Sequence, residues 1–324
     1  MTTILMLHAG CLSGKFFTTL LSTNVGWAHS ALVALLRYHG TTAFVDGTFR
    51  CVPRGFAQCV VFMVHDRASG VFVPVFYILS TSRTADAYWD MIHFVVQATD
   101  QNLEPAEVIC DFEAGLINSI QTQFPNAIVL GCLFHMKQAL RRAIERYAIP
   151  DEECSIAITP GVLDLLTVMD PARINKGINW VKREMKMRCP EAGLIYPAEK
   201  WSEFWGYFAR TWLDQYPIEV WNVYGLENEL IARTNSPLER FNIELNAKFP
   251  TAHPSMATFI TVIKTLSAEY VRRIADIPRG RARRVSRDRI QLPQPVAIDS
   301  DIDSEVEEHA ADTSADASVT SIAL

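Results

Sequence analysis

The sequence predicts a mixed α/β fold interrupted by an all-helical insertion, on the basis of three observations. Three β-rich runs follow one another between Thr41 and Thr81, separated by the turn sequences PRGF and RASG. Strand-like and helix-like segments then alternate as far as Tyr147, and residues 150–232 show no strand pattern. At 324 residues and 49% hydrophobic, the chain is large enough to bury the core that such a fold needs.

The first three predicted strands form an antiparallel meander, because their connections are short and rich in turn residues. They are TTAFVDGTFRCV, AQCVVFMVHD and VFVPVFYILS. The next segment, TADAYWDMIHFVVQATD, has apolar residues at helical spacing, and either Ser82 or Thr84 is placed to cap it. The sequence therefore predicts three strands followed by an amphipathic helix.

Two further strands, EVICD and AIVLGC, alternate with the helices FEAGLINSIQTQF and HMKQALRRAIERY. The result is a mixed sheet of five strands with helices on its faces. The crossover through the first helix makes the first and fourth strands neighbours at the centre of the sheet. Ligands of such sheets gather beyond the carboxyl ends of the parallel strands.

The chain is predicted to divide into five segments. Residues 1–40 form an N-terminal helical lead-in, and residues 41–149 form the first part of the core. Residues 150–232 form the helical insertion, where prolines separate helices that carry scattered tryptophans. Residues 233–277 supply C-terminal helices that complete the core. Residues 278–324 are basic and then acidic, cannot bury a core, and are expected to be disordered.

The acidic character of the chain belongs to its C-terminus. The net charge is −6, but residues 299–324 hold eight acids and no Lys or Arg. Removing those eight negative charges leaves residues 1–298 with a net charge of +2. The charge balance is therefore compatible with a nucleic-acid partner.

Cysteine usage and hydropathy predict a soluble intracellular protein. The seven cysteines show no disulfide framework, since only Cys51 and Cys59 are closely spaced, and free thiols are typical of a reducing compartment. No basic residue precedes the apolar stretch near the N-terminus, which argues against a secretory signal. The longest apolar runs fall short of the roughly 20 residues that span a bilayer.

Three acids are candidates for catalysis, and each has an ordinary structural alternative. Asp46 precedes Gly47 between apolar runs, as a hairpin-turn residue does. Asp111 closes a strand and opens a helix, where it could act as an N-cap. Glu239 follows Ser236 by three residues, which fits a capping box.

The predicted strand order brings Asp46 beside Asp111, and a helix that follows the insertion can add Glu239 to the same edge. Three converging carboxylates repel one another unless divalent cations neutralise them. Mg²⁺ prefers such oxygen ligands together with substrate phosphate oxygens. The sequence therefore predicts a phosphodiester-processing site that holds Mg²⁺ or Mn²⁺, as a pair of ions.

Five segments together resemble one known family. They are VDGTFRCVPRGFAQ, PVFYIL, VICDFEAGLINSI, GCLFHMKQALRR and RTNSPLERFNIELN. In order and context they are similar to the Mutator-like element (MULE) transposase domain, which belongs to the ribonuclease H-like DDE enzymes, and the likeness covers roughly residues 25–275. The resemblance implies a ribonuclease H-like fold and a catalytic triad of Asp46, Asp111 and Glu239.

The resemblance also implies that Cys132 and His135, in a C-x-x-H element, support the active site. Zinc is the alternative, but a structural zinc needs four ligands and no second pair has convincing spacing. Asn235 and Ser236 stand where the family usually has two Asn residues. The segment WAHSALVALLRYHG resembles the family's lead-in helix and leaves no room for an N-terminal DNA-binding module, so the chain is either a truncated copy or depends on a separate chain for end recognition.

Basic and amide residues extend the predicted site. Lys137, Arg141, Arg142 and Arg146 follow His135 on a helix and are candidates for DNA contact, with an ordinary solvated face as the alternative. Asn242 and Asn246 share the helical face of Glu239. An Arg-rich stretch over residues 279–289 predicts nuclear localisation or non-specific attraction to DNA, with a basic linker as the alternative.

The function implied by the resemblance is metal-dependent cleavage and strand transfer at transposon ends, with double-stranded DNA as partner. A domesticated copy that binds DNA or protein without cutting, and a simple nuclease, are the alternatives. A homo-oligomer is compatible with the sequence, and a membrane partner is not expected. Serine hydrolases and P-loop nucleotide-binding proteins have no support in the sequence, because neither G-x-S-x-G nor G-x-x-x-x-G-K occurs.

Overall fold

In the computed structural model, which describes residues 5–7, 16–20, 23–226 and 234–281, a mixed sheet of eight strands organises the chain. The strands are β1 (Leu5–Leu7), β2 (Phe16–Leu20), β3 (Asn24–His29), β4 (Thr41–Thr48), β5 (Gln58–Asp66), β6 (Val71–Ser80), β7 (Pro105–Cys110) and β8 (Ile128–Gly131). Their order across the sheet is β1-β2-β3-β6-β5-β4-β7-β8. β7 runs parallel to both β4 and β8, and the other pairs are antiparallel.

The mixed α/β class is confirmed, but the predicted count of five strands is wrong. The five predicted strands are β4 to β8, and β1 to β3 add a second meander at the free edge of β6.

The helical lead-in predicted for residues 1–40 is likewise wrong for the part that the structure describes. In the run WAHSALVALLRYHG, Trp27–His29 continue β3, and only α1 (Ser30–Val33) is α-helical before a 3₁₀ turn at Ala34–Arg37. Pairing with β6 satisfies the backbone of β3 and buries Trp27, which overrides the local helical pattern.

Helices cover both faces of the sheet. On one face lie α2 (Ala85–Ala98) and α3 (Ala114–Gln123), and on the other lie α9 (Ser236–Ala247) and α10 (Met256–Asp276). Two adjacent residues of β6 show this arrangement, because Phe76 packs against Phe94 of α2 while Tyr77 packs against Phe241 of α9. Successive side chains of a strand point to opposite faces, so the two helix layers lie on opposite sides. β4, β5 and β6 are consequently buried along nearly their whole length.

The strand order at the centre of the sheet confirms the predicted neighbours. β4 and β7 are parallel, and their register pairs Val45 with Cys110. The residues that follow this pair, Asp46 and Asp111, therefore lie side by side at the carboxyl end of the sheet. β8 extends the parallel part, with Gly131 opposite Cys110, so Cys132 ends at the same edge.

Contacts divide the described chain into two compact units. The first contains the sheet and comprises the described residues up to Gln138 and those from 234 to 281. The second comprises residues 139–226 and is helical among its described residues, whereas the insertion was predicted to begin at residue 150. The boundary falls inside α4 (Leu133–Arg146).

The second unit has an aromatic core of its own. Its helices are α5 (Asp151–Ile158), α6 (Ile174–Glu191), α7 (Ala198–Phe208), a π-helical turn at Ala209–Gln215 and α8 (Ile218–Trp221). Trp201 is fully buried, stacks edge-on with Phe204, and donates its indole N–H to Oε2 of the buried Glu153 at 2.8 Å. That hydrogen bond satisfies two polar groups that would otherwise be costly to bury.

Two sequence predictions fall largely outside the described residues. They are the disordered tail, of which only residues 278–281 are described, and the Arg-rich stretch over residues 279–289. Among the described residues, no single helix has the length and apolarity to cross a bilayer, although Asp151–Thr167 and Pro171–Glu191, bent by 120°, meet those criteria as a pair.

Candidate metal centre

Asp46 lies inside strand β4 and not in a hairpin turn. It pairs with Val61 of β5, and the ladder continues to Thr48 opposite Cys59. The residue is only 6% exposed, and its carboxylate accepts two hydrogen bonds, from Gly47 N at 2.8 Å and from Asn242 Nδ2 at 3.2 Å. The interpretation of Asp46 as a turn residue is therefore wrong. Asp46 is a buried carboxylate, and the strand fixes its position.

Asp111 follows directly on β7, beside Asp46. Its Oδ1 accepts a hydrogen bond from Phe112 N at 2.7 Å. The N-cap position of α3 belongs to Glu113, so Asp111 does not cap that helix. Gly131 of the neighbouring strand leaves the space that the Phe112 ring fills, since a methyl group at Gly131 would overlap the ring. This close approach holds the chain that follows Asp111 against β8.

Glu239 lies in the first turn of α9 and does not form a capping box. The N-cap residue is Asn235, whose side chain makes no capping hydrogen bond. Its backbone N–H instead donates to Cys132 Sγ at 3.1 Å, and its side-chain Nδ2 donates to Val45 O at 3.4 Å. Asn235 thus ties the start of α9 to β4 and to the residue that follows β8.

The Glu239 carboxylate points at the C-x-x-H element. Its Oε1 accepts from the Cys132 thiol at 3.6 Å and lies 3.8 Å from Nε2 of His135. On the other side of the ring, Nδ1 of His135 lies 3.0 Å from Oδ1 of Asp111. The imidazole therefore lies between two of the three predicted carboxylates, and Glu239 does not point to bulk solvent.

Two groups of possible metal ligands share His135. The first is Asp46, Asp111 and His135, and the second is Cys132, His135 and Glu239. Within each group, one ligand atom of each residue lies within 4.8 Å of the others. The carboxylates of the first group, with Glu239 beside it, are the oxygen donors that Mg²⁺ and Mn²⁺ prefer.

The electrostatics of the site are those of a carboxylate cluster held together by one cation. Burial raises the pKa of Asp46 to about 7. The His135 charge opposes this rise, and the charges of Asp111 and Glu239 add to it. Burial lowers the pKa of His135, but contacts with Asp111 and Cys132 outweigh it and raise that pKa to about 11. Burial also pushes the pKa of Asp111 upward, yet His135 and the Phe112 N–H hold it below its ordinary value. A protonated His135 thus supplies the positive charge that the carboxylates require.

Three buried amide oxygens near the carboxylates strengthen the fit to a hydrated cation. Oδ1 of Asn235, Oδ1 of Asn242 and Oδ1 of Asn246 have no hydrogen-bond partner among the described residues. The amide of Asn242 faces Asp46, and Asn246 Nδ2 donates to Thr48 Oγ1 at 3.2 Å. Unpaired buried acceptors are uncommon and are explained by an ion or by ordered water. The sequence places Asn242 and Asn246 on the correct helical face but gives no signal for the role of Asn235.

The predicted basic residues lie along α4. Arg141, Arg142 and Arg146 are exposed, and Lys137 is half-buried. Met136, Leu140 and Ala143 are buried, as the predicted apolar stripe requires, whereas Tyr147 is only half-buried. DNA contact by these residues stays a prediction.

Comparison with known proteins finds a family match for part of the sheet-containing unit. Residues 42–139 match the model of the MULE transposase domain, and this range includes Asp46, Asp111, Cys132 and His135 but not Glu239. No curated protein matches the chain. The chain is also similar to a solved structure entitled Drosophila P element transposase strand transfer complex, with 10% identity over 88% of this chain and 75% of that chain, but a TM-score of 0.29 is too low to support an argument. Residues 42–139 of the chain are therefore a MULE transposase domain.

Proposed function

We propose that the sheet-containing unit is the ribonuclease H-like catalytic core of a DDE-type transposase, which cleaves phosphodiesters at transposon ends and transfers the strands. One observation carries the proposal: Asp46, Asp111 and Glu239, which come from three distant parts of the sequence, converge around His135. The ordinary structural roles of these acids do not account for this, because none of them forms the turn or cap that its local sequence suggests.

Asp46, Asp111 and Glu239 are the residues that would hold Mg²⁺ or Mn²⁺. Such ions, when bound in a pair, assist both the attacking and the leaving oxygen of an in-line phosphoryl transfer. The chain contributes rigid placement. Asp46 is fixed by its strand and by two hydrogen bonds, and Asp111 is fixed by its own N–H contact and by the Phe112 ring. Residues on secondary-structure elements position a site more accurately than residues on loops do.

In this proposal His135 is a positioning residue that also balances charge. Without a divalent cation, the imidazolium between Asp111 and Glu239 prevents the carboxylates from repelling one another. A bound divalent cation would supply the positive charge that His135 provides in its absence. The ring thus keeps the metal-free site in a conformation that can accept an ion.

Double-stranded DNA is the proposed substrate, both as transposon end and as target, and the nucleus is the proposed location. The charge distribution supports this partner, since residues 1–298 carry +2 and exposed arginines lie along α4. The proposal also includes self-association of the protein and a separate chain that recognises the transposon ends.

A cleavage assay tests the proposal directly. The full chain is incubated with a duplex DNA that carries a transposon end and with a supercoiled plasmid, in Mg²⁺, in Mn²⁺ or in EDTA. Metal-dependent nicking is expected, and Asp46→Asn, Asp111→Asn and Glu239→Gln should each reduce it to background. Asp86→Asn, at an exposed position on α2, is the matched control and should cleave like the parent chain.

Two outcomes would contradict this function. Undiminished cleavage by the three acid variants would show that another site or a contaminant performs the chemistry. DNA binding by the parent chain without any metal-dependent cleavage would instead favour a DNA-binding protein that does not cut.

A further inference from the structure

A second set of ligands lies beside the carboxylates and has a different chemistry. Cys132, His135 and Glu239 present a thiol, an imidazole nitrogen and a carboxylate oxygen within 4.8 Å of one another. Thiolate and imidazole are ligands of Zn²⁺ and similar transition metals, whereas Mg²⁺ prefers oxygen donors alone. The C-x-x-H element lacks a second pair of ligands nearby in the sequence, but the fold supplies a third ligand from 107 residues further along the chain.

The distances within this set fit a tetrahedral zinc ion. Zn–S and Zn–O bonds of about 2.3 and 2.0 Å at a tetrahedral angle place sulfur and oxygen about 3.5 Å apart. Cys132 Sγ and Glu239 Oε1 are 3.6 Å apart. The same reasoning gives about 3.3 Å between nitrogen and oxygen ligands, and His135 Nε2 lies 3.8 Å from Glu239 Oε1. Only small side-chain shifts are needed to bring all three atoms onto one ion.

The neighbours of these ligands are those that metal sites use to orient their ligands. Asp111 lies 3.0 Å from Nδ1 of His135, which leaves Nε2 directed at Glu239. A carboxylate on the far nitrogen of a metal-bound histidine fixes its tautomer and its ring orientation. The backbone N–H of Asn235 donates to Cys132 Sγ at 3.1 Å, as it would to a thiolate ligand. Cys132 is fully buried, whereas the side chains of His135 and Glu239 are about one-fifth exposed, so the fourth coordination position is open to water.

We propose that Cys132, His135 and Glu239 form a site for Zn²⁺ or a similar transition metal, distinct from the Asp46–Asp111 site for hard cations. On binding, the Cys132 thiol and the Nε2–H of the protonated His135 each release a proton to solvent. The Cys132 sulfur, His135 Nε2 and the Glu239 carboxylate are then the three protein ligands. Because Glu239 also belongs to the proposed catalytic triad, the zinc-bound chain is incompetent for cleavage; this consequence rests on the proposed function, whereas metal binding does not.

Cobalt spectroscopy tests the binding, because Co²⁺ replaces Zn²⁺ in such sites and reports a thiolate ligand. Co²⁺ is titrated into the metal-free full chain while absorbance is recorded. A thiolate-to-cobalt charge-transfer band in the near ultraviolet and the visible bands of a tetrahedral ion are expected, and added Zn²⁺ should remove both. Absence of the charge-transfer band in the parent chain overturns the proposal.

Variants assign the ligands. Cys132→Ser should lose the charge-transfer band, while the control Cys154→Ser, at another buried cysteine, should keep it. Glu239→Gln should weaken Co²⁺ binding by more than about tenfold, the loss that even outer-shell partners produce. A band that persists in Cys132→Ser, or Co²⁺ affinity that is unchanged in Glu239→Gln, overturns the proposal. Circular dichroism of each variant shows whether it is folded, and Cys132→Ala serves as a second variant if the serine substitution unfolds the chain.

One further variant separates this inference from the proposed function. Asp46→Asn removes a ligand of the hard-cation site but none of the three transition-metal ligands, so its cobalt spectrum should match that of the parent chain. Loss of the band in this variant contradicts the assignment of two sites. A chain that binds Co²⁺ as described but never cleaves DNA contradicts only the proposed function.

Discussion

Nδ1 of His135 lies 3.0 Å from Oδ1 of Asp111, so a cationic ring occupies the carboxylate cluster of the metal-free protein. The ring comes from the first turn of α4 and the carboxylate from the end of β7, which places a positive charge where repulsion among acids would be strongest. The C-x-x-H element therefore does more than pack against the site. In the proposed function, this positive charge offsets the repulsion among the three acids before a divalent ion binds.

The first prediction concerns this charge. His135→Gln keeps a polar side chain but removes the cation, and in EDTA at pH 8 it should lower the free energy of unfolding by about 2 kcal/mol, the scale of a hydrogen bond to a charged group. The pKa of His135 is raised to about 11 from its ordinary 6.5, so the ring contributes its full stabilisation below pH 6.5 and loses it as the pH rises through about 11. At pH 8 most of that stabilisation should be present, and urea denaturation measures it.

Added Mg²⁺ should largely restore the stability of His135→Gln, because the ion replaces the missing charge. His39→Gln is the control, since its contact with Glu104 is between exposed side chains and contributes little. Equal stability of His135→Gln and the parent chain in EDTA would show that the imidazole does not hold the cluster together.

The second prediction concerns Asp46. Its pKa is raised to about 7 from the ordinary 3.8, so the folded chain binds this proton more tightly than the unfolded chain does. The associated stability is fully present below pH 3.8 and is lost as the pH rises through about 7. In EDTA, Asp46→Asn should therefore be more stable than the parent chain, and its advantage should grow by about 3 kcal/mol between pH 5 and pH 8.

Urea denaturation at the two pH values checks this pH dependence. The Asn side chain can keep the hydrogen bond from Gly47, and rotation of the Asn242 amide would bring its unpaired Oδ1 to accept from the new amide N–H. An Asp46→Asn variant that is less stable than the parent chain at pH 8 would mean that the carboxylate stabilises the fold, contrary to a site built for metal.

Sequence patterns predict β4 to β8, because short turns and the alternation of strands with helices determine this part of the fold. The strand order β4–β7 follows from the crossover rule, and it alone puts Asp46 beside Asp111. The three N-terminal strands could not be predicted in this way, because β3 exists through pairing with β6, some fifty residues away. Likewise, Asp-Gly suggests a turn at Asp46, but the β4–β5 ladder runs past it to Thr48.

The candidate site shows the same limit. The C-x-x-H spacing places Cys132 and His135 together, but their contacts with Glu239 depend on the docking of α9 against β4. That docking uses the backbone N–H and the side chain of Asn235, whose local sequence suggests only a helix cap. No short sequence pattern shows that Asn235 docks α9 against β4.

The third prediction concerns the space beside Asp111. Gly131→Ala places a methyl group where the Phe112 ring lies, and overpacking of this kind typically lowers stability by about 1–3 kcal/mol. Because Phe112 follows Asp111 directly, the same substitution should also weaken Mg²⁺ binding. Thermal denaturation and calorimetric titration with Mg²⁺ measure the two effects.

Gly131→Ala combined with Phe112→Leu should recover part of both losses, because the smaller side chain leaves room for the methyl group. Gly193→Ala is not a suitable control, since that residue has a φ of 74° and is strained by any side chain. Ala114→Gly, in the first turn of α3, destabilises without crowding the site and is expected to leave Mg²⁺ affinity unchanged. Equal Mg²⁺ affinity of Gly131→Ala and the parent chain would show that Phe112 does not position Asp111.

The fourth prediction concerns DNA contact by α4. Arg142 and Arg146 are four residues apart on the exposed side of the helix, so their charges lie on one face. If each neutralises one phosphate, Arg142→Ala/Arg146→Ala should lower the slope of log affinity against log salt by about 2, because each phosphate contact contributes about 0.9 to that slope. Fluorescence anisotropy of a labelled duplex in EDTA, over a range of salt concentrations, measures binding without cleavage. Arg183→Ala/Lys186→Ala removes the same charge from exposed positions on α6 and should leave the slope unchanged. An equal change of slope in both double variants would show that only net charge matters and that α4 presents an ordinary solvated face.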